Sequence, residues 1–242
     1  MASNRFFKLI VWEFEQFLNF PILEFLIAST LFLVLFQPIT NHNFFTIWEN
    51  LNRGNSFLVI FMIFIVCAVF SRSFAGTLDR GEIKMLLSYP IKRWELFSAK
   101  FITQFFVLSA IIFVIFSFNI PLMGLNPFNP MLYASLLGLL LHLLVVCSVT
   151  TTVSLLIKKE TITILVSAIP LFGLETIGGR DSFFTGIGRS NLIFDFFKQS
   201  IAIGSESVAF GDFVLAVAFP IVISAFLLLI SLIYFSFIME VD

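Results

Sequence analysis

Two groups of residues in this chain have types and spacings suited to chemistry. The first is a charged island at 71–100, SRSFAGTLDRGEIKMLLSYPIKRWELFSAK, set in a sequence that is otherwise mostly apolar. It holds six Lys/Arg (Arg72, Arg80, Lys84, Lys92, Arg93, Lys100) and three acids (Asp79, Glu82, Glu95). Asp79, with Glu82 three residues on, can act as a capping box for a helix that ends before Pro90. On that helix Leu78, Met85, Leu86 and Tyr89 share a side with Asp79 and Glu82, and Arg80, Gly81, Lys84 and Ser88 take the other. A basic side can face anionic headgroups. An apolar side carrying two carboxylates suits a groove in a partner protein, where acids meet Arg or Lys. The plain alternative is a loop whose charges only enforce topology.

The second group centres on His142, near the middle of a long apolar run. Ser135, Gly138, His142 and Val149 form one helical stripe, with Thr152 at its edge. An ionisable side chain at membrane depth is costly, so it is a functional candidate by default. The ordinary alternative is a neutral His hydrogen-bonded between helices. Ser148, Thr150, Thr151, Thr152 and Ser154 surround this helix and should bond to their own backbone. Glu175, at the end of the next apolar run, either gates or binds a cation, or belongs to the loop that follows. Ser135, His142, Thr152 and Glu175 together are the candidates for a translocation path.

Other chemistries find no support. There is no G-x-x-x-x-G-K-[ST], and Gly186-Ile-Gly188 lacks the Lys that would meet a nucleotide phosphate. The protease motif H-E-x-x-H is absent, which speaks against an intramembrane enzyme. One His without nearby Cys, His or carboxylate is poor support for a metal. Cys67 and Cys147 fall in separate apolar runs and read as packing residues. A net charge of -1 offers no basic patch for nucleic acid.

These residues sit in a chain of 242 residues that is 59% hydrophobic and 12% charged, with mean hydropathy +1.05. Soluble domains carry about 25% charged residues, so the solvent for most of this surface is lipid. Of 41 aromatics, 35 are Phe, either lipid-facing bulk or the lining of a cavity for an apolar substrate. Glu13 and Glu15 interrupt any signal-peptide core. Residues 5–19 are amphipathic and suit a helix lying in the interface. Glu13 falls on its apolar side; the expectation is that it reaches up to headgroups, the alternative a pairing with a basic residue of the island. Spans are expected at 22–36, 57–70 (continuing past Ser71), 101–120, 131–157, 161–174 and 213–237. Pro170 should kink the fifth. The stretch 40–55 reads as an outer loop with Trp48 as an interface anchor, and 121–130 as an outer turn. Residues 175–211 read as a re-entrant or interfacial outer hairpin. Six spans put both termini on one side. With that side inside, ten Lys/Arg are cytoplasmic and four are not, a positive-inside bias.

The island also resembles a known signature. Gly76-Thr77-Leu78, then Leu86-Leu87-Ser88 and Pro90, then Arg93, then Lys100 opening the third span, is similar to the pattern of ABC-2 type transporter permeases. Asp79 stands where that family usually has Glu, followed by an unusual Arg80-Gly81. The resemblance implies an all-α integral membrane fold: a six-helix bundle like that of type V exporters, as one domain over 1–242. It would have an N-terminal interfacial helix, a cytoplasmic coupling elbow at 71–100 and an outer hairpin at 175–211. It implies that the elbow docks on a separate ABC ATPase subunit through Thr77, Leu78, Asp79, Glu82, Met85, Leu86, Tyr89, Pro90 and Arg93. It further implies a second permease copy or paralogue, and ATP and magnesium held by the partner with no cofactor or enzymatic activity in this chain. The setting would be the plasma membrane, with both termini cytoplasmic. A non-transporting scaffold subunit of a larger membrane complex is the alternative.

Overall fold

The computed structural model describes residues 2–18, 44–88, 91–122, 128, 130–178, 182–199 and 208–239. Every regular element among them is a helix. Helix α1 is Ala2–Leu18 and α2 is Phe44–Ser71. A π-helical stretch, Arg72–Gly76, carries α2 into the short α3, Thr77–Asp79. Then come α4 (Glu82–Leu87), α5 (Arg93–Leu122), α6 (Pro130–Ile157), α7 (Glu160–Ile177), α8 (Gly186–Gln199) and α9 (Phe210–Ile233), the last extended by a π-helical turn, Tyr234–Ile238.

Among the described residues, five stretches are long and apolar enough to cross a membrane: Leu58–Asp79, Arg93–Phe118, Leu132–Ile157, Glu160–Ile177 and Phe210–Ile238. The expected span at 22–36 lies outside the described residues. Three boundaries differ from expectation. Helix α2 begins at Phe44, so most of the expected loop at 40–55 is helical. Pro121 lies inside the last turn of α5 and not in the turn beyond it. The elbow is broken at Arg80-Gly81 before α4 starts, so Asp79 ends one helix and caps none. Gly81 takes φ 71, with its N–H bonded to the Leu78 carbonyl at 3.1 Å. Only glycine adopts that left-handed stop without steric cost.

Helix α6 is central to the bundle, and α2 is one of the helices packed against it. Val59, Ile63, Val66 and Phe70 recur at steps of four, three and four, and all are fully buried. That spacing keeps one stripe of α2 facing one neighbour. On α6 the buried answer is Leu139, Leu143 and Val146. Lipid tails are as apolar as leucine, so close packing and hydrogen bonds hold such helices together. Helix α9 shows this plainly: its buried residues are Ala216, Pro220, Ser224 and Ser231, while Val222 and Phe226 point outward. Cys67 and Cys147 are both buried and free, as packing residues would be.

The hydroxyls of α6 behave as anticipated. Ser148, Thr150, Thr151, Thr152 and Ser154 each donate to a carbonyl three or four residues back, at 2.7–2.8 Å. Helix α6 ends at Ile157 and is followed by Lys158, a non-glycine residue at φ 57. Lys159 is extended and stands before α7. The whole link between α6 and α7 is therefore two residues.

Helix α1 packs along the start of α5. Phe6 stacks on Trp94 with centroids 6.4 Å apart. Glu13 does not reach outward to headgroups: it is buried, with Oε1 3.4 Å from the Lys100 ammonium, itself buried. Burial raises the Glu13 carboxyl above its ordinary pKa, and Lys100 opposes the rise. Removing one member of a buried pair strands the other. Lys100→Met should therefore loosen α1, making it the first segment cut in limited proteolysis, and Glu13→Gln in the same chain should restore much of the resistance.

Candidate functional site

Two places gather polar side chains. At the elbow end, Ile83 is buried in the bundle and Leu78 and Leu86 pack against its core. Ile83 is therefore the residue that seats α4. The opposite side of α4 is left open: Met85 is 72% exposed, and Asp79 and Glu82 are exposed with it. Arg80 donates from Nε to Glu82 at 2.7 Å and from a terminal nitrogen to Glu160 at 3.4 Å. These contacts raise the Arg80 pKa, the Glu82 hydrogen bond foremost. Exposed pairs of this kind contribute about 0–1 kcal/mol each. Their effect is positional, tying the elbow to the start of α7.

At the other end α8 lies in the bundle, packed chiefly on α6. Arg189 is 1% exposed. Its Nε and one terminal nitrogen donate to the carbonyls of Phe183 and Phe184 at 2.7 and 2.9 Å. Its other terminal nitrogen lies 3.1 Å from His142 Nδ1. A guanidinium can only donate, so Nδ1 accepts and a neutral ring carries its proton on Nε2. That nitrogen is 3.3 Å from Glu175 Oε1. The same oxygen accepts the Gly186 N–H, the first of α8, at 2.5 Å. Burial lowers Arg189 to about 10, with Glu175 opposing the fall, so it stays charged at neutral pH. Seven residues back along α6, the Ser135 hydroxyl meets that of Ser190 at 2.5 Å, and Asn55 donates to both at 2.9 and 3.3 Å.

A family model described as "ABC-2 family transporter protein" matches residues 13–179, from the buried Glu13 through the elbow to the end of α7. The chain belongs to the ABC-2 transporter family. It is an ABC transporter permease and a multi-pass membrane protein. No curated protein and no solved structure matches it.

The permease places its anticipated residues unevenly. Of the elbow set, Asp79, Glu82 and Met85 are exposed, while Leu78 and Leu86 are partly buried against the core. Thr77 is turned inward, its hydroxyl given to the Ser73 and Phe74 carbonyls at 2.6 and 3.1 Å. Arg93 donates to the Met239 carbonyl at 2.8 Å, fixing the end of the last helix. Tyr89 and Pro90 lie outside the described residues. Of the path candidates, Ser135, His142 and Glu175 each meet a residue of α8, and His142 also approaches Glu175. Thr152 is apart, its hydroxyl 2.9 Å from Ser231 on α9. Among the described residues no cluster of three or more His, Cys, Asp or Glu has metal-binding geometry.

Sequence reasoning missed Arg189, Asn55 and Ser190, and it left His142 without a carboxylate. Arg189 read as one of four basic residues on the outer side. A usable signal lay in Gly186 and Gly138. A Cβ at Gly186 would stand 2.7 Å from the His142 ring, and one at Gly138 would stand 2.5 Å from Ser190 Cα. Glycines at both places mark where backbone approaches the stripe.

Proposed function

We propose that this permease is the membrane subunit of an ABC transporter powered in trans. The elbow docks on a separate ATPase subunit, which binds ATP and magnesium, and the docked lever rocks the spans. In this reading the chain itself catalyses nothing. A second copy or a paralogue completes the path, residues 22–36 supply a sixth span, and substrate moves outward across the plasma membrane. The elbow and both termini face the cytoplasm, a placement supported by ten Lys/Arg on that side against four.

One observation carries the reading. Ile83 is buried and Met85, two residues on, is 72% exposed with Glu82 beside it. A short helix seated firmly on one side, presenting an apolar residue and acids on the other, suits a groove lined by Arg or Lys. It also lies in the chain between two membrane helices, α2 and α5.

The test uses co-expression with a candidate ABC ATPase subunit. Glu82→Arg and Met85→Asp should each cut recovery of the subunit in a pull-down by about ten-fold, a loss on the scale of one buried interface residue. Stimulated ATP hydrolysis should fall to the rate of the subunit alone, with membrane insertion of the permease intact. Undiminished recovery and undiminished stimulation in both variants would remove the elbow from the coupling.

A further inference from the structure

We propose that Arg189, His142 and Glu175 form a latch that holds α8 down over the polar stripe of α6, and that its release opens that stripe to the side opposite the elbow. This rests on the permease reading for its use in transport, though not for its geometry. The three residues come from three helices: His142 from α6, Glu175 from α7 and Arg189 from α8. The contacts run in series, from the Arg189 guanidinium to His142 Nδ1 at 3.1 Å, and from His142 Nε2 to Glu175 at 3.3 Å. A lasting cation and a carboxylate thus stand on either side of a neutral ring that is hydrogen-bonded to the first and closely approaches the second. Glu175 closes the circuit by capping α8 at Gly186. A short helix whose first N–H groups point at a carboxylate gains from the charge as well as the bond.

Beneath this circuit the polar face of α6 has nowhere else to go. Ser135 and Ser190 share a 2.5 Å contact, Ser190 also donates to the Ser135 carbonyl at 3.0 Å, and Asn55 bridges both hydroxyls. Of the residues that sequence reading assigns to a path, Ser135, His142 and Glu175 are therefore covered by α8, and Thr152 is not. The cover is made for removal as a unit. Arg189 clamps its own approach turn through the Phe183 and Phe184 carbonyls, and the Gly188 N–H bonds to Thr185 at 3.0 Å. Its ties to α7 in this circuit pass through Glu175 alone. Among the described residues, Glu175 Oε2 is buried without a hydrogen bond, and His142 Nε2 has only its off-line approach to Oε1. A latch with spare polar atoms of this kind has alternative partners available when it opens.

The test needs only the full-length permease in lipid nanodiscs, where both ends are open to solution. Cys67 and Cys147 are replaced by Ala, and Ser135→Cys serves as reporter for a water-soluble maleimide. With the latch intact, labelling should be slow. Glu175→Gln removes the charge at nearly constant shape, and Gly186→Ala pushes α8 off the His142 ring with no change of charge. Each should speed labelling by about ten-fold or more, as loss of one tie does to a locally closed segment. A Ser135→Cys/Ser190→Cys pair should close to a disulfide under mild oxidation. Equal labelling rates in folded Glu175→Gln, Gly186→Ala and parent proteins would overturn the latch. No ATPase subunit enters this experiment, so the latch and the powered-transport reading fail separately, the latter in the elbow pull-down.

Discussion

Arg189→Ala should cost the permease about 3–5 kcal/mol, the usual loss when one member of a buried charge pair is removed. The truncation strips three donors at once from acceptors that have few other partners. The Phe183 and Phe184 carbonyls lose their bonds, and His142 Nδ1 loses its donor. Glu175, 7% exposed, then faces an uncharged ring and has lost the charge of Arg189. Lost packing adds to this, because Arg189 is among the largest fully buried side chains. Thermal unfolding in detergent with the far-end region probed by protease would show it. The cycle with Glu175→Ala is the sharper measurement. If the charges are coupled through His142, the double variant is less damaged than the sum of the singles. Strict additivity would mean that Arg189 acts by packing and carbonyl capping alone.

Gly138→Val should be nearly as severe, for a steric reason. A Cβ there meets Ser190 Cα at 2.5 Å and Ser190 N at 2.7 Å. Both are backbone atoms, so no rotamer change can yield, and α8 must move bodily off α6. Overpacking of this kind costs about 1–3 kcal/mol and occasionally more. Gly173 is the control, because a Cβ placed there has nothing within 4 Å. Gly173→Ala should be neutral or gain up to about 1 kcal/mol from helix propensity. A stability scan that ranks the two glycines alike would contradict the close approach of α6 and α8.

Five of the six expected spans were legible among the described residues, because lipid imposes a simple rule on composition and length. The island at 71–100 was legible because charge in such a chain has to be somewhere wet. What the pattern could not supply was the side of α4 that faces inward. Periodicity grouped Met85 with Leu78 and Leu86, yet the residue that seats the helix is Ile83. The break at Gly81 rotates α4 relative to α3, so a stripe drawn through both is displaced. The Arg80-Gly81 pair was visible as unusual, and a left-handed stop is what it does. Arg189 was hidden for a different reason. Its partner His142 is 47 positions away, and a one-dimensional pattern carries nothing about pairs so distant. Glu13 was misjudged because the benefit of meeting Lys100 depends on where α5 begins, which helix periodicity in α1 does not encode.

The short link at Lys158 and Lys159 has a mechanical corollary. With so little chain between them, α6 and α7 behave like the arms of a pair of tweezers: joined at one tip of the molecule, they can spread only at the other. Glu160 beside the joint is held by Arg80, so a force on the elbow arrives at the fulcrum. His142 and Glu175 sit out along opposite arms, where the same small rotation produces the larger displacement.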